Sequence, residues 1–134
     1  MKTVDTTYRV LYADTDAMGI VYYANYLKFY EMGRDAYFRA LDVTEEEIRE
    51  SGILLPAVSV NMKYVKPAEY KDEVIIKTRL IEVPAVRFRF EQSVYHQEKG
   101  LLNKADIMLA SVDADSMKPK PCPVELRAAV EKML

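Results

Sequence analysis

The sequence predicts an α+β domain in which an antiparallel sheet curls around one long helix. Three observations predict it. From about Tyr22 to Leu41 the apolar residues recur at helical spacing, and no proline interrupts them. After Pro56 the period changes to two and stays there through several segments. These later segments are joined mainly by short turns, which implies antiparallel neighbours.

Residues 4 to 13 read as a first strand. Its last residues deliver two carboxylates, Asp14 and Asp16, into a turn closed by Gly19. The helix follows, with Leu27, Tyr30, Arg34, Tyr37, Phe38 and Leu41 at helical spacing. Phe29, Met32, Ala36 and Ala40 add apolar residues on other faces. A helix this apolar nearly all round is expected to be enclosed. Thr44 with Glu47 three residues on is a capping-box start, and Gly52 stops that short helix. Val58, Val60, Met62 and Tyr64 alternate with Ser59, Asn61 and Lys63, the pattern of a half-buried strand ended by Pro67. Residues 73 to 82 form the next strand. Val86, Phe88 and Phe90 then alternate with Arg87, Arg89 and Glu91. A long strand over residues 102 to 113 follows the turn at Gly100. Pro119, Pro121 and Pro123 enforce an extended segment before a closing helix over residues 123 to 133. No linker, repeat or low-complexity tract divides the chain, so residues 1–134 are read as one domain, long enough to bury a core.

Half the residues are hydrophobic and 30% are charged, an ordinary globular composition. A net charge of −2 gives no sign of nucleic-acid binding. The N-terminus, MKTVDTTYRV, lacks the apolar run of a signal peptide, and no apolar stretch approaches the ~20 residues that span a bilayer. The one cysteine, Cys122, has no partner in the chain, which fits a reducing, cytoplasmic location. Cys122 and His96 alone cannot supply a familiar zinc ligand set.

The turn from Asp14 to Gly19 carries the chemistry. A carboxylate beside a helix N-terminus sits in a positive local field that favours its ionised form. With free backbone N–H groups next to it, it has two tools for acyl chemistry: a base or nucleophile, and an oxyanion hole. The same residues also read as an Asx-turn and helix cap.

The stretch VLYADTDAMGIVYYANYLKFYEMGR, Val10 to Arg34, resembles the signature of the hotdog-fold acyl-CoA thioesterases, in the branch of 4-hydroxybenzoyl-CoA thioesterase and the Tol-Pal-associated thioesterases. The matching residues are Tyr12, Asp14 to Gly19, Val21, Tyr22, Asn25, Tyr26, Phe29, Glu31 and Arg34. Weaker resemblance runs to the end of the chain. It implies a hotdog topology, sites built at a subunit junction, and a homodimer or homotetramer. It places Asp16 on the catalytic aspartate and leaves Asp14 to bond the turn backbone. It places the oxyanion-binding amide at Tyr23, in the Gly19–Ile20–Val21–Tyr22–Tyr23 approach to the helix. Tol-Pal-type relatives usually carry histidine there, whereas 4-hydroxybenzoyl-CoA thioesterase carries tyrosine. An amide donor survives that change; acid–base help from an imidazole does not. Tyr12 is expected to support the site.

Tyr22, Tyr26 and Tyr30, at i, i+4 and i+8, share a helix face that reads as core, with an acyl pocket as the alternative. Lys63, Lys66, Arg87 and Arg89 are candidate cations for the phosphates of coenzyme A, and otherwise a solvated face. The basic run that 4-hydroxybenzoyl-CoA thioesterase carries nearby is replaced by Val83, Pro84, Ala85 and Val86. His96 reads as a strand-surface residue.

The expected function is hydrolysis of an acyl-CoA thioester to free acid and CoA, with no cofactor beyond the coenzyme A of the substrate. Asp16 would act as nucleophile or general base. A non-catalytic acyl-CoA binding module is the alternative. A hotdog dehydratase or hydratase is disfavoured because His96 lies far from the helix. Short, long and aromatic acyl groups all remain open, as does an acyl-carrier-protein thioester.

Overall fold

The computed structural model describes residues 2–133. Strands β1 (Val4–Arg9), β2 (Ile53–Leu54), β3 (Ala57–Tyr64), β4 (Glu73–Leu80), β5 (Arg87–His96), β6 (Gly100–Ala110) and β7 (Val112–Asp113) alternate with helices α1 (Tyr26–Ala40), α2 (Glu45–Glu50) and α3 (Val124–Glu131). Five strands make one antiparallel sheet in the spatial order β1–β4–β5–β6–β3, and β2 pairs with β7 separately. The sheet curls around α1, which is the hotdog arrangement.

Period-two patterning builds the concave face. Val74, Ile76 and Leu80 of β4, Phe88, Phe90 and Val94 of β5, and Ile107 and Leu109 of β6 are buried. Tyr26, Phe29, Tyr30 and Tyr37 of α1 meet them. Helix and sheet approach closely at Gly33. A Cβ there would overlap Thr78 Oγ1 and lie 2.8 Å from both Gln92 Nε2 and Ile76 Cγ2. Gln92, fully buried, joins helix to sheet. Its Nε2 donates to the Tyr30 carbonyl (2.9 Å) and to Thr78 Oγ1 (2.8 Å), and its Oε1 accepts from Arg34 (3.1 Å). At the start of α2, Glu47 N–H donates to Thr44 Oγ1 at 3.0 Å, as the capping pattern predicts.

The structure departs from the sequence reading in five places, one being the last long strand, which breaks at Ser111 so that Val112–Asp113 leave β6 and pair with β2. The first strand ends at Arg9, and Tyr12–Asp14 form a 3-10 turn instead of its last residues. The long helix starts at Tyr26, after a second 3-10 turn over Tyr23–Asn25. Strand β3 is not half-buried: it is an edge strand beside β6, with Val58 56% and Val60 45% exposed. The helix is enclosed on one side only, and Leu27 is 44% exposed. The last two share a cause. Helix α1 packs mainly on β1, β4 and β5, so β6 is still covered but the concave side of β3 at Val60 is left open. Segment 65–72 also carries the chain across the sheet, because β4 pairs with β1 and β5, not with β3.

Candidate active site

The segment between β1 and α1 is organised by Asp14. Its carboxylate is fully buried. Oδ2 accepts from the Tyr8 hydroxyl (2.6 Å) and the Leu11 N–H (2.8 Å), while Oδ1 pairs with Lys28 Nζ (2.6 Å). Burial pushes the carboxyl upward, but the Lys28, Tyr8 and Leu11 donors outweigh it and hold it below the ordinary carboxylate value. Burial, then the bond to Asp14, pushes the Tyr8 phenol up to about 12. The Asp14 main-chain carbonyl accepts from the Tyr22 N–H (2.9 Å) and from Asn25 Nδ2 (2.9 Å). One residue therefore fixes the acidic turn against the start of the helix.

Asp16 sits two residues on in a tight loop. Its N–H donates to the Ile20 carbonyl (2.9 Å) and its carbonyl accepts from the Gly19 N–H (3.0 Å). Gly19 closes the loop at φ +81°, a left-handed conformation that glycine adopts without a Cβ clash. Asp16 Oδ1 accepts from the Met18 N–H at 2.8 Å. Among the described residues nothing donates to Oδ2. A cleft of about 280 Å³ opens here, lined by Asp16, Val21, Tyr23, Tyr26, Tyr64 and Lys66 among others. Tyr23 heads the second 3-10 turn, where an N–H has no partner inside the turn. Tyr22 and Asn25 N–H groups are used, the latter on the Tyr22 carbonyl at 2.8 Å.

Asp16, Val21, Tyr23 and Lys66 are thus brought to one cleft, with Gly19 closing the loop that carries Asp16. The other candidates fall elsewhere. Tyr12 is 76% exposed and stands edge-on to Tyr70, with ring centroids 5.7 Å apart. Tyr22 precedes the helix and so leaves the predicted tyrosine face; it is 43% exposed and stacks on Tyr23. Tyr26 and Tyr30 are core, and Tyr26 also reaches the cleft. The four cations do not converge. Lys66 Nζ bonds the Lys99 carbonyl at 3.0 Å. Lys63 is in register with Lys104, itself opposite Ser93, four residues from Arg89. That offset alone is roughly 13 Å along the strand. Arg89 approaches Glu82 at 3.8 Å. His96 is more than a strand-surface residue: its Nδ1 accepts from the Glu98 and Lys99 N–H groups, and its Nε2 lies 3.6 Å from Asp72.

Sequence reasoning did not assign Tyr64, Lys28 or Asn25 to this region. Tyr64 closes the alternating run of β3, which predicts its strand but not the aromatic cluster it joins with Tyr23 and Tyr26. A second, larger groove of about 610 Å³ lies between α1, α2, β2 and the ends of β3 and β6, lined by Arg34, Phe38, Ile48, Leu55 and Leu109 among others. Asp16 does not reach it.

Residues 10–130 match the model of the thioesterase-like superfamily. The chain is 37% identical over 122 residues to the acyl-CoA thioesterase YbgC of Haemophilus influenzae, covering 90% of this chain and 89% of that protein. Its fold matches a DHNA-CoA thioesterase from Staphylococcus aureus (TM-score 0.92, 24% identity, 98% of this chain and 91% of that one). It also matches an aspartate-to-asparagine variant of 4-hydroxybenzoyl-CoA thioesterase complexed with 4-hydroxybenzoyl-CoA (TM-score 0.86, 23% identity, 97% and 99%). With the family model spanning all of the chain but its ends, this protein belongs to the thioesterase-like superfamily.

Proposed function

We propose that the protein is an acyl-CoA thioesterase, hydrolysing an acyl-CoA thioester to free acid and CoA, with Asp16 as its catalytic carboxylate. The observation that carries this reading is the shared cleft. Asp16, with one carboxylate oxygen open, and the Tyr23 turn, with its N–H groups, face one apolar and aromatic space. Either Asp16 takes a proton from water as it attacks the thioester carbon, or Asp16 attacks directly and water resolves the anhydride. In both, the carbonyl oxygen gains charge that the Tyr23 N–H receives, and the C–S bond then breaks to release CoA thiolate. Lys66, at the rim, is the cation placed to meet a phosphate of coenzyme A.

The resemblance supports an aspartate in this role, as does the solved complex of 4-hydroxybenzoyl-CoA thioesterase with one aspartate replaced by asparagine. The protein is further read as a homodimer or tetramer in a reducing cytoplasm; its open sheet edge and its single buried thiol, pushed up to about 11 by burial, fit that reading.

The test is Asp16→Asn, assayed by free-thiol release from acetyl-, hexanoyl-, palmitoyl- and benzoyl-CoA. The variant keeps its shape and its thermal midpoint, and kcat falls by about 10²–10⁴, the range of a positioned base, or more for a nucleophile. Tyr23→Phe costs little, because the donor is an amide. Hydrolysis by Asp16→Asn at the parent rate overturns the assignment.

A further inference from the structure

The Tyr23 turn has a tie to the sheet that the chemistry above does not use. The Tyr64 hydroxyl donates to the Tyr23 main-chain carbonyl at 2.9 Å. Tyr64 is the last residue of β3, and its ring meets Tyr23 and Tyr26 edge-on at 6.4 and 5.6 Å. We propose that Tyr64 is a positioning residue for the oxyanion turn, holding the peptide groups on either side of Tyr23 in the orientation that presents their N–H groups to the thioester oxygen. This rests on the thioesterase reading given above.

The plane carrying the Tyr22 carbonyl and the Tyr23 N–H is fixed inside the turn, because that carbonyl accepts from the Asn25 N–H at 2.8 Å. The next plane carries the Tyr23 carbonyl and the Ala24 N–H, and its carbonyl accepts from the Tyr64 hydroxyl of the sheet. Removing the phenol takes away this plane's tie to the sheet, and the Tyr23 N–H joins the plane at the same Cα. The bond also polarises its peptide, since an amide whose carbonyl accepts a hydrogen bond is a better donor through its N–H, here that of Ala24, which adds to the Tyr23 N–H beside it. Burial, then the neighbouring Tyr23, raises the Tyr64 phenol above its ordinary pKa, so it remains a donor through the neutral range.

A purely structural role makes a different prediction. Tyr64 is 51% and Tyr23 63% exposed. An exposed hydrogen bond of this kind adds little to folding, since water replaces it readily. Its geometric value appears only when charge develops on the substrate oxygen.

The experiment is Tyr64→Phe in the full chain, assayed on the same four acyl-CoA thioesters beside Asp16→Asn. The expected result is a fall in kcat of about tenfold, less than loss of a whole oxyanion donor, with KM within about twofold. The thermal midpoint stays with the parent. A second measurement needs no turnover. In the Asp16→Asn background, the carbonyl stretch of bound benzoyl-CoA shifts down from its solution value, and adding Tyr64→Phe moves it back. An unchanged kcat and carbonyl stretch in Tyr64→Phe, with Asp16→Asn inactive, overturns this proposal and leaves the thioesterase reading standing. A loss of kcat that only follows a lowered midpoint overturns it too. Parent-like hydrolysis by Asp16→Asn, or none by the parent, removes the underlying reading and this proposal with it.

Discussion

Asp14 and Asp16 stand two residues apart and meet opposite surroundings. Asp14 is fully buried and takes three donors; Asp16 takes one and keeps an oxygen open to the cleft. The charge on Asp14 is therefore spent on folding. Replacing it with asparagine leaves Lys28 without its counter-charge and sets an amide against donors, which costs about 1–3 kcal/mol of stability. The kcat of the folded fraction falls far less than in Asp16→Asn, since the Asp14 carbonyl that holds Tyr22 and Asn25 is kept. The pH dependence has a definite sign. Because the folded-state pKa of Asp14 is lowered, its contribution is complete above the unfolded-state value of ~3.9 and is lost as pH falls below it towards the folded value. Thermal midpoints of the parent should drop through that acid window, and those of Asp14→Asn should drop less. Equal slopes would contradict the buried ion pair. The sequence reading already gave Asp14 to the turn backbone, which the Leu11 N–H bond bears out. Lys28, fourteen residues on, was not legible, because that pairing depends on how the helix docks.

At the scale of elements, periodicity found each main strand and the long helix, because one-sided burial writes a period of two or 3.6 into the chain. It placed the start of α1 too early. Apolar spacing runs on through Tyr22 and Tyr23, but bonds from Tyr22 and Asn25 to the Asp14 carbonyl hold that stretch outside the helix. The same bonds make the turn on which the proposed chemistry rests, so the part of the site that spacing misplaced is a part held by non-local contacts. Gly33 is the counterpart in the core. Nothing in its spacing marks it, since the demand comes from Thr78 and Gln92 across the interface. Gly33→Ala normally favours a helix by up to about 1 kcal/mol. Here the added methyl meets Thr78 Oγ1, so the helix must lift or Gln92 must leave its bonds to Tyr30 and Thr78. The net expectation is a loss of about 1–3 kcal/mol, read as a lower urea midpoint with an unchanged m-value. A stabilised variant would mean that α1 does not approach β4 this closely.

At the scale of the whole molecule, the features that sequence reading got wrong on β3 and α1 point the same way. The alternation of β3 was written as if one face were buried, and in one chain neither is. The helix was written as if enclosed, and one side is open. A second copy placed edge to edge along β3 would satisfy both patterns, pairing the free edge and bringing apolar cover to the concave side of β3 at Val60. Unpaired edges of this length are otherwise a standing aggregation hazard. Val60 is the residue to change. It faces the concave side opposite Ile107 and is 45% exposed in the single chain. Val60→Lys therefore costs the protomer little, yet buries a charge wherever two copies meet. The expected outcome is a parent that sediments as a dimer or larger at micromolar concentration and a variant that sediments as a monomer with near-parent helix content. If the site draws on both subunits, as the resemblance implies, specific activity should fall in the variant and fall with dilution in the parent. A parent that sediments as a compact monomer and keeps its specific activity on dilution would show that the open edge is tolerated as it stands and that the cleft beside Asp16 works alone.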